Sequence, residues 1–133
     1  MNSFRKHIAL AAFLMALSVT LGAFGAHGLK QILSADKVLT FDTAVRYQLY
    51  HSFALFIVVF LMFYFEKHIQ ILKKAYHLFL IGIVIFSGSL YALTTCYAMH
   101  IENMKWLGAI TPIGGLCFIA GWLLVTFAML KKQ

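Results

Sequence analysis

Four runs of apolar residues dictate what this chain can fold into: Ile8–Ala26, Ala44–Phe65, Leu78–Met99 and Trp106–Leu130. Each is close to the ~20 residues that cross a ~30 Å hydrocarbon core as a helix. Hydrocarbon offers no partner to a backbone N–H or C=O, so runs of this kind must close their hydrogen bonds internally, as α-helices. With 133 residues in all, four such spans leave no room for a second domain. The composition agrees: 11% of residues are charged, against about a quarter in a soluble domain. The expected architecture is an all-α integral membrane protein, residues 1–133 forming one antiparallel bundle of four transmembrane helices.

The formal charge of +7 does not point to nucleic acid. Its Lys and Arg residues sit in short groups at the ends of the apolar runs rather than along one helix face. In that position they orient the chain and meet anionic head groups, which makes membrane lipids the expected partner. Arg5, Lys6, Lys67, Lys73, Lys74, Lys131 and Lys132 fall on one side; Lys30, Lys37, Arg46 and Lys105 fall on the other. Asp36, Asp42 and Glu102 join the smaller set and Glu66 the larger. Both termini are therefore expected in the cytoplasm.

Three local features refine the spans. Arg5 and Lys6 before the first run imitate a secretory signal, but the run exceeds a signal core of roughly 7–15 residues and reads as a retained helix. The second helix is expected to begin near Ala35, with Ser34 as N-cap and Asp36 in the first turn. That gives roughly 31 residues, ~46 Å long, so Asp42 to His51 fall at or just inside the outer interface. In the fourth run, Pro112 either kinks a continuous helix or stands first in a helix capped by Thr111.

In an up-down arrangement the polar and glycine-rich stretches of all four helices meet in the outer half of the bilayer. Gly22, Gly25, His27 and Gly28 end the first helix, and Asp42, Arg46, Tyr47, Gln48, Tyr50 and His51 begin the second. Ser87, Gly88, Ser89 and Tyr91 lie in the third, and Trp106, Thr111, Gly114 and Gly115 open the fourth. Asp42 and Arg46, four apart, can pair, and Tyr47 and His51 share a neighbouring face. Gln48 lies roughly 160° from Arg46 at 100° per residue, so these groups nearly encircle the helix and cannot all line one pore. They make either an interfacial girdle with bundle hydrogen bonds or a binding site. As a site, Arg46 would fork onto an anionic group, with His27, Asp42, Tyr47, Gln48 and His51 around it and hydroxyls from Tyr91 and Thr111.

The small residues read as helix packing: Gly22, Gly25 and Gly28, then Gly88 with Ala92, then Gly114 and Gly115. His27, His51 and His100 with Met99 and Met104 suit copper or haem iron chemically, but no His-x-x-x-His pair supports a closed ligand set, and no cofactor or metal is expected. Cys96 and Cys117 are expected at depths about 16 Å apart, too far for a disulfide. No paired carboxylates, Cys-x-x-Cys or serine with an evident base marks a catalytic centre, and no catalytic residue is assigned.

Gly22-Ala-Phe-Gly-Ala-His-Gly-Leu29, Val45-Arg-Tyr-Gln-Leu-Tyr-His51, Phe86-Ser-Gly-Ser-Leu-Tyr91 and Trp106-Leu-Gly-Ala-Ile-Thr-Pro-Ile-Gly-Gly115 occur in that order. Together they resemble the YwdK/YgdD-like family of small bacterial membrane proteins, domain of unknown function 423, related to a eukaryotic transmembrane protein. The resemblance spans nearly the whole chain and implies a multi-pass inner-membrane protein; it carries no activity, substrate or catalytic residue. The residues themselves favour a non-enzymatic protein that binds a lipid head group, a small ligand or a membrane partner through the outer polar cluster. The alternatives are a small transporter or channel component acting as a homo-oligomer, and a histidine-dependent metal or haem protein.

Overall fold

The computed structural model of the protein describes residues 2–101, 103–104 and 106–131. Among these residues the chain makes four helical spans. The first is α1 (Asn2–His27) and the second α2 (Ala35–Tyr64). The third is assembled from α3 (Ile69–Gly82), a π-helical stretch (Ile83–Ser87) and α4 (Gly88–Ala98), and the fourth is α5 (Trp106–Leu130). All four are long and apolar enough to cross a membrane. Short 3-10 turns at Leu29–Gln31 and Glu66–His68 join them. One end of the bundle thus carries both helix termini of the chain and the Glu66–His68 turn. The other carries the α1–α2 and α4–α5 connectors.

Burial separates the spans into two kinds. In α2 and in the third span 44% of the most apolar stretch is buried, against 17% in α1 and 28% in α5. The two central spans pack on each other, α1 lies against α2, and α5 lies against the third span. Leu55, Val58, Met62, Leu72, Tyr76 and Phe79 form the main core. A smaller core of Leu29, Phe41 and Val45 closes the connector end. Lipid tails are as apolar as these side chains, so what holds the helices together is close packing and interhelical hydrogen bonding rather than exclusion of water.

Glycine supplies that close packing at particular places. A Cβ on Gly121 would come within 2.6 Å of the Phe79 ring, one on Gly82 would run into Phe118, and one on Gly114 into the backbone of Phe86. Three phenylalanines are therefore seated in three glycine notches between the third span and α5. Of the glycines expected to pack helices, Gly114 does so, and Gly25 does so against Phe41 at 2.9 Å. Gly22 makes an ordinary 3.5 Å contact to Val45, and Gly28 meets Phe24 of its own helix. Gly88 and Gly115 need correction: a Cβ on Gly88 meets nothing within 4 Å and one on Gly115 only the edge of Phe86 at 3.9 Å, so neither position requires glycine for a close approach.

The expected boundaries also change. The third helix begins at Ile69, not near Leu78, because Leu72, Ala75, Tyr76 and Phe79 make a buried stripe at helical spacing while Lys74 and His77 face outward. The first begins by Asn2 rather than Ile8. Ser34 does precede α2, but its hydroxyl donates to the Asp36 carboxylate and caps no backbone N–H. The fourth helix starts at Trp106 and runs through Pro112 without a break. Thr111 is no cap: its hydroxyl bonds Leu107 O within the helix. Of the charges used to orient the chain, Glu102, Lys105 and Lys132 lie outside the described residues.

Candidate functional site

Gln48 ties three spans together. Its side chain is buried in α2, where Nε2 donates to Leu14 O of α1 at 3.1 Å and Oε1 accepts from the Tyr91 hydroxyl of α4 at 3.0 Å. An amide with one donor and one acceptor so engaged serves as a strut. The π-helical stretch supplies the next link. There the turn widens over Ile83–Ser87, and the buried Ser87 hydroxyl donates to Ala44 O at 2.8 Å. Ser89 Oγ then shares a 2.8 Å hydrogen bond with Thr111 Oγ1, joining α4 to α5. Of the expected site residues, Gln48, Tyr91 and Thr111 thus spend polar atoms on holding helices.

His51 lies at the centre of an aromatic column. Its ring stacks on Phe118 with centroids 3.4 Å apart and planes 7° from parallel; Phe79 stands at 5.6 Å and Trp122 at 6.4 Å. Nδ1 is 2.8 Å from Tyr47 O and so carries the proton, because a carbonyl only accepts. Tyr47 continues the column onto Phe86 at 4.4 Å. Asp42 and Arg46 pair at 3.2 Å, as their spacing suggests, both about half exposed. His27 is exposed and makes no hydrogen bond, ion pair or ring contact among the described residues.

These residues do not converge on one pocket. The concavity at the connector end is instead a cleft of about 580 Å³ between the end of α1 and the start of α2. Gly22, Gly25 and Ala26 line its α1 side, and Val38, Phe41 and Val45 its α2 side, with Lys30 and Asp42 as its charged groups. It has the size of a small-molecule site. Three expected residues border it: Gly22, Gly25 and Asp42. Lys30 was read only as a topology charge; its role at the cleft follows from the 3-10 turn Leu29–Gln31, which no motif announces. A second residue without a sequence signal is His68, buried in the Glu66–His68 turn with Nε2 lacking a hydrogen-bond partner. Among the described residues no three His, Cys, Asp or Glu side chains group as metal ligands, and Cys96 and Cys117 are free, half-buried thiols.

Four apolar spans, stitched by buried side-chain hydrogen bonds, define a small multi-pass membrane protein. Residues 21–115, which hold all four sequence motifs, match the family described as "Protein of unknown function (DUF423)". A UPF0382 membrane protein of Staphylococcus haemolyticus is 43% identical over 93% of the chain and 94% of its own length. UPF0382 membrane protein YwdK of Bacillus subtilis is 40% identical over 93% and 95%, and a UPF0382 membrane protein of Haemophilus influenzae 37% over 96% of each. The chain belongs to this DUF423 family of UPF0382 membrane proteins. No solved structure matches it significantly.

Proposed function

We propose that this protein is a non-enzymatic component of the bacterial inner membrane, with both termini cytoplasmic, that binds an anionic amphiphile in the outer α1–α2 cleft. One observation carries the reading: the cleft sets charged groups beside an apolar lining. Lys30 and Asp42 are its charged groups, Arg46 pairs with Asp42, and Val38, Phe41 and Val45 supply its apolar surface. A phosphate would meet the Lys30 ammonium and draw Arg46 from its exposed pairing with Asp42, an exchange of small cost because such surface pairs contribute at most about 1 kcal/mol. Gly22, Gly25 and Ala26 line the α1 side of the cleft, whose volume leaves room for an acyl chain. Gln48, through its hydrogen bond to Leu14 O, holds α1 on α2 and so shapes the cleft.

Native mass spectrometry of the full chain in mild detergent, with dioleoylphosphatidylglycerol added as probe, tests the proposal. Ala26 is exposed and lines the cleft, so Ala26→Trp fills it without disturbing the core. The expected result is loss of one bound lipid in Ala26→Trp, and an affinity about fivefold lower at that site for each of Lys30→Gln and Arg46→Ala. An unchanged lipid count in Ala26→Trp would overturn it.

A further inference from the structure

The α1–α2 seam opens a second time, at the opposite end of the bundle. There a cleft of about 630 Å³ lies between Phe4 and Ile8 of α1 and Phe56, Phe60, Phe63 and Tyr64 of α2. At 100° per residue, Asp42 and Val45 of the first cleft and Phe56, Phe60 and Phe63 of the second fall within about 60° of one another around α2. On α1, Phe4, Ile8, Gly22 and Ala26 share about 40° of arc. Both clefts therefore lie on one side of the same helix pair, as two halves of a groove that the α1–α2 contact interrupts near Leu14 and Gln48. This side is away from the third span, whose partners on α2 include Ala44 and Gln48.

The two halves differ in chemistry. The second cleft offers aromatic rings and, beyond the Tyr64 hydroxyl, no polar side chain, so a head group has no track along it and the groove does not conduct one. Its end of the molecule is strongly basic. Arg5 is exposed about 60° from Ile8 around α1, and Lys67 is exposed three residues after Tyr64; Lys6 is exposed on the opposite face of α1. Lys73, Lys74 and Lys131 lie at the same end, where Glu66 is the sole acid in the sequence.

We infer that this cleft is a second, independent lipid site, for an anionic phospholipid of the leaflet facing the chain termini. An acyl chain lies among Phe56, Phe60 and Phe63, and the phosphate lies against Arg5 and Lys67. The site does not rest on the outer cleft and is measured separately from it. Competition between dioleoylphosphatidylglycerol and dioleoylphosphatidylcholine, read by native mass spectrometry of the full chain, is the test. Ile8→Trp, at an exposed lining position, retains one phosphatidylglycerol per monomer fewer than wild type. The double variant Arg5→Gln/Lys67→Gln alters only exposed side chains, so it folds. Its preference for the anionic over the zwitterionic lipid falls about thirtyfold at one site, the effect of two cations near a leaflet. Ala26→Trp leaves this site intact, which separates failure of the outer site from failure of this one. Equal retention of both lipids by wild type, an unchanged count in Ile8→Trp, or a dimer buried across this groove that excludes lipid would each overturn the inference.

Discussion

Replacing Gln48 by Leu removes a side chain that bonds two other spans at once, and its cost can be worked out from its partners. The Nε2–Leu14 O and Tyr91–Oε1 hydrogen bonds are both lost. Interhelical hydrogen bonds in bilayers average about 0.6 kcal/mol each, so their direct loss is about 1.2 kcal/mol. Leu14 O keeps the Ser18 hydroxyl as a donor at 2.8 Å and is not stranded. The Tyr91 hydroxyl is stranded, at about 1–3 kcal/mol. Leu has nearly the volume of Gln and fills its space, so no cavity adds to this total. Gln48→Leu should therefore destabilise the protein by about 2–4 kcal/mol, and Tyr91→Phe by about 2 kcal/mol through the unpaired Oε1. The double variant leaves neither group stranded and should cost at least about 1 kcal/mol less than the sum. Reversible unfolding in mixed micelles at increasing SDS fraction, followed by circular dichroism, measures all three. A Gln48→Leu cost below about 0.5 kcal/mol, or strict additivity in the double variant, would refute the strut.

Two further substitutions probe the packing. Gly114→Ala drives a methyl into the backbone of Phe86 and should cost about 1–3 kcal/mol, whereas Gly88→Ala enters open space and should stay within about 0.5 kcal/mol; equal effects in the same SDS titration would contradict the notch assignment. His51→Phe keeps the stack on Phe118 and should cost less than about 1.5 kcal/mol, while His51→Ala opens a hole in the column and should cost about 3 kcal/mol; a His51→Phe variant as unstable as His51→Ala would show that the imidazole nitrogens, not the ring, matter.

Much of the fold was legible because length and apolarity leave a membrane helix little choice. The four spans and the long α2 starting at Ala35 follow from that logic. What escaped did so for physical reasons. α3 starts early because Lys73 and Lys74 lower the hydropathy of a segment whose other face is buried, so a test of total apolarity misses it. The π-helical stretch carries no motif; its wide turn shows only when Ser87 reaches Ala44 O. Gly82 and Gly121 look like any other membrane glycines until Phe118 and Phe79 are seated against them. The strut was half visible: Gln48 and Tyr91 were both singled out, but Leu14 contributes a carbonyl, and a backbone acceptor leaves no trace in a side-chain pattern. The clefts were invisible because they arise from the seam between α1 and α2, a relation between helices and not a property of either.

The thinly packed α1 has a consequence for its neighbour α2. It precedes the other three spans in the sequence, and its residues from Ile8 to His27 include no Lys, Arg, Asp or Glu. Ser18 and Thr20 return their hydroxyls to its own carbonyls at Leu14 and Ala16. Such a helix rests in lipid alone. α2 does not, for it carries Gln48 into the bilayer, and the amide's acceptor on α1 lies 34 residues back along the chain. The acceptor that satisfies the buried amide thus lies on the span that precedes it in the chain, and α2 is the span that depends on α1 for it.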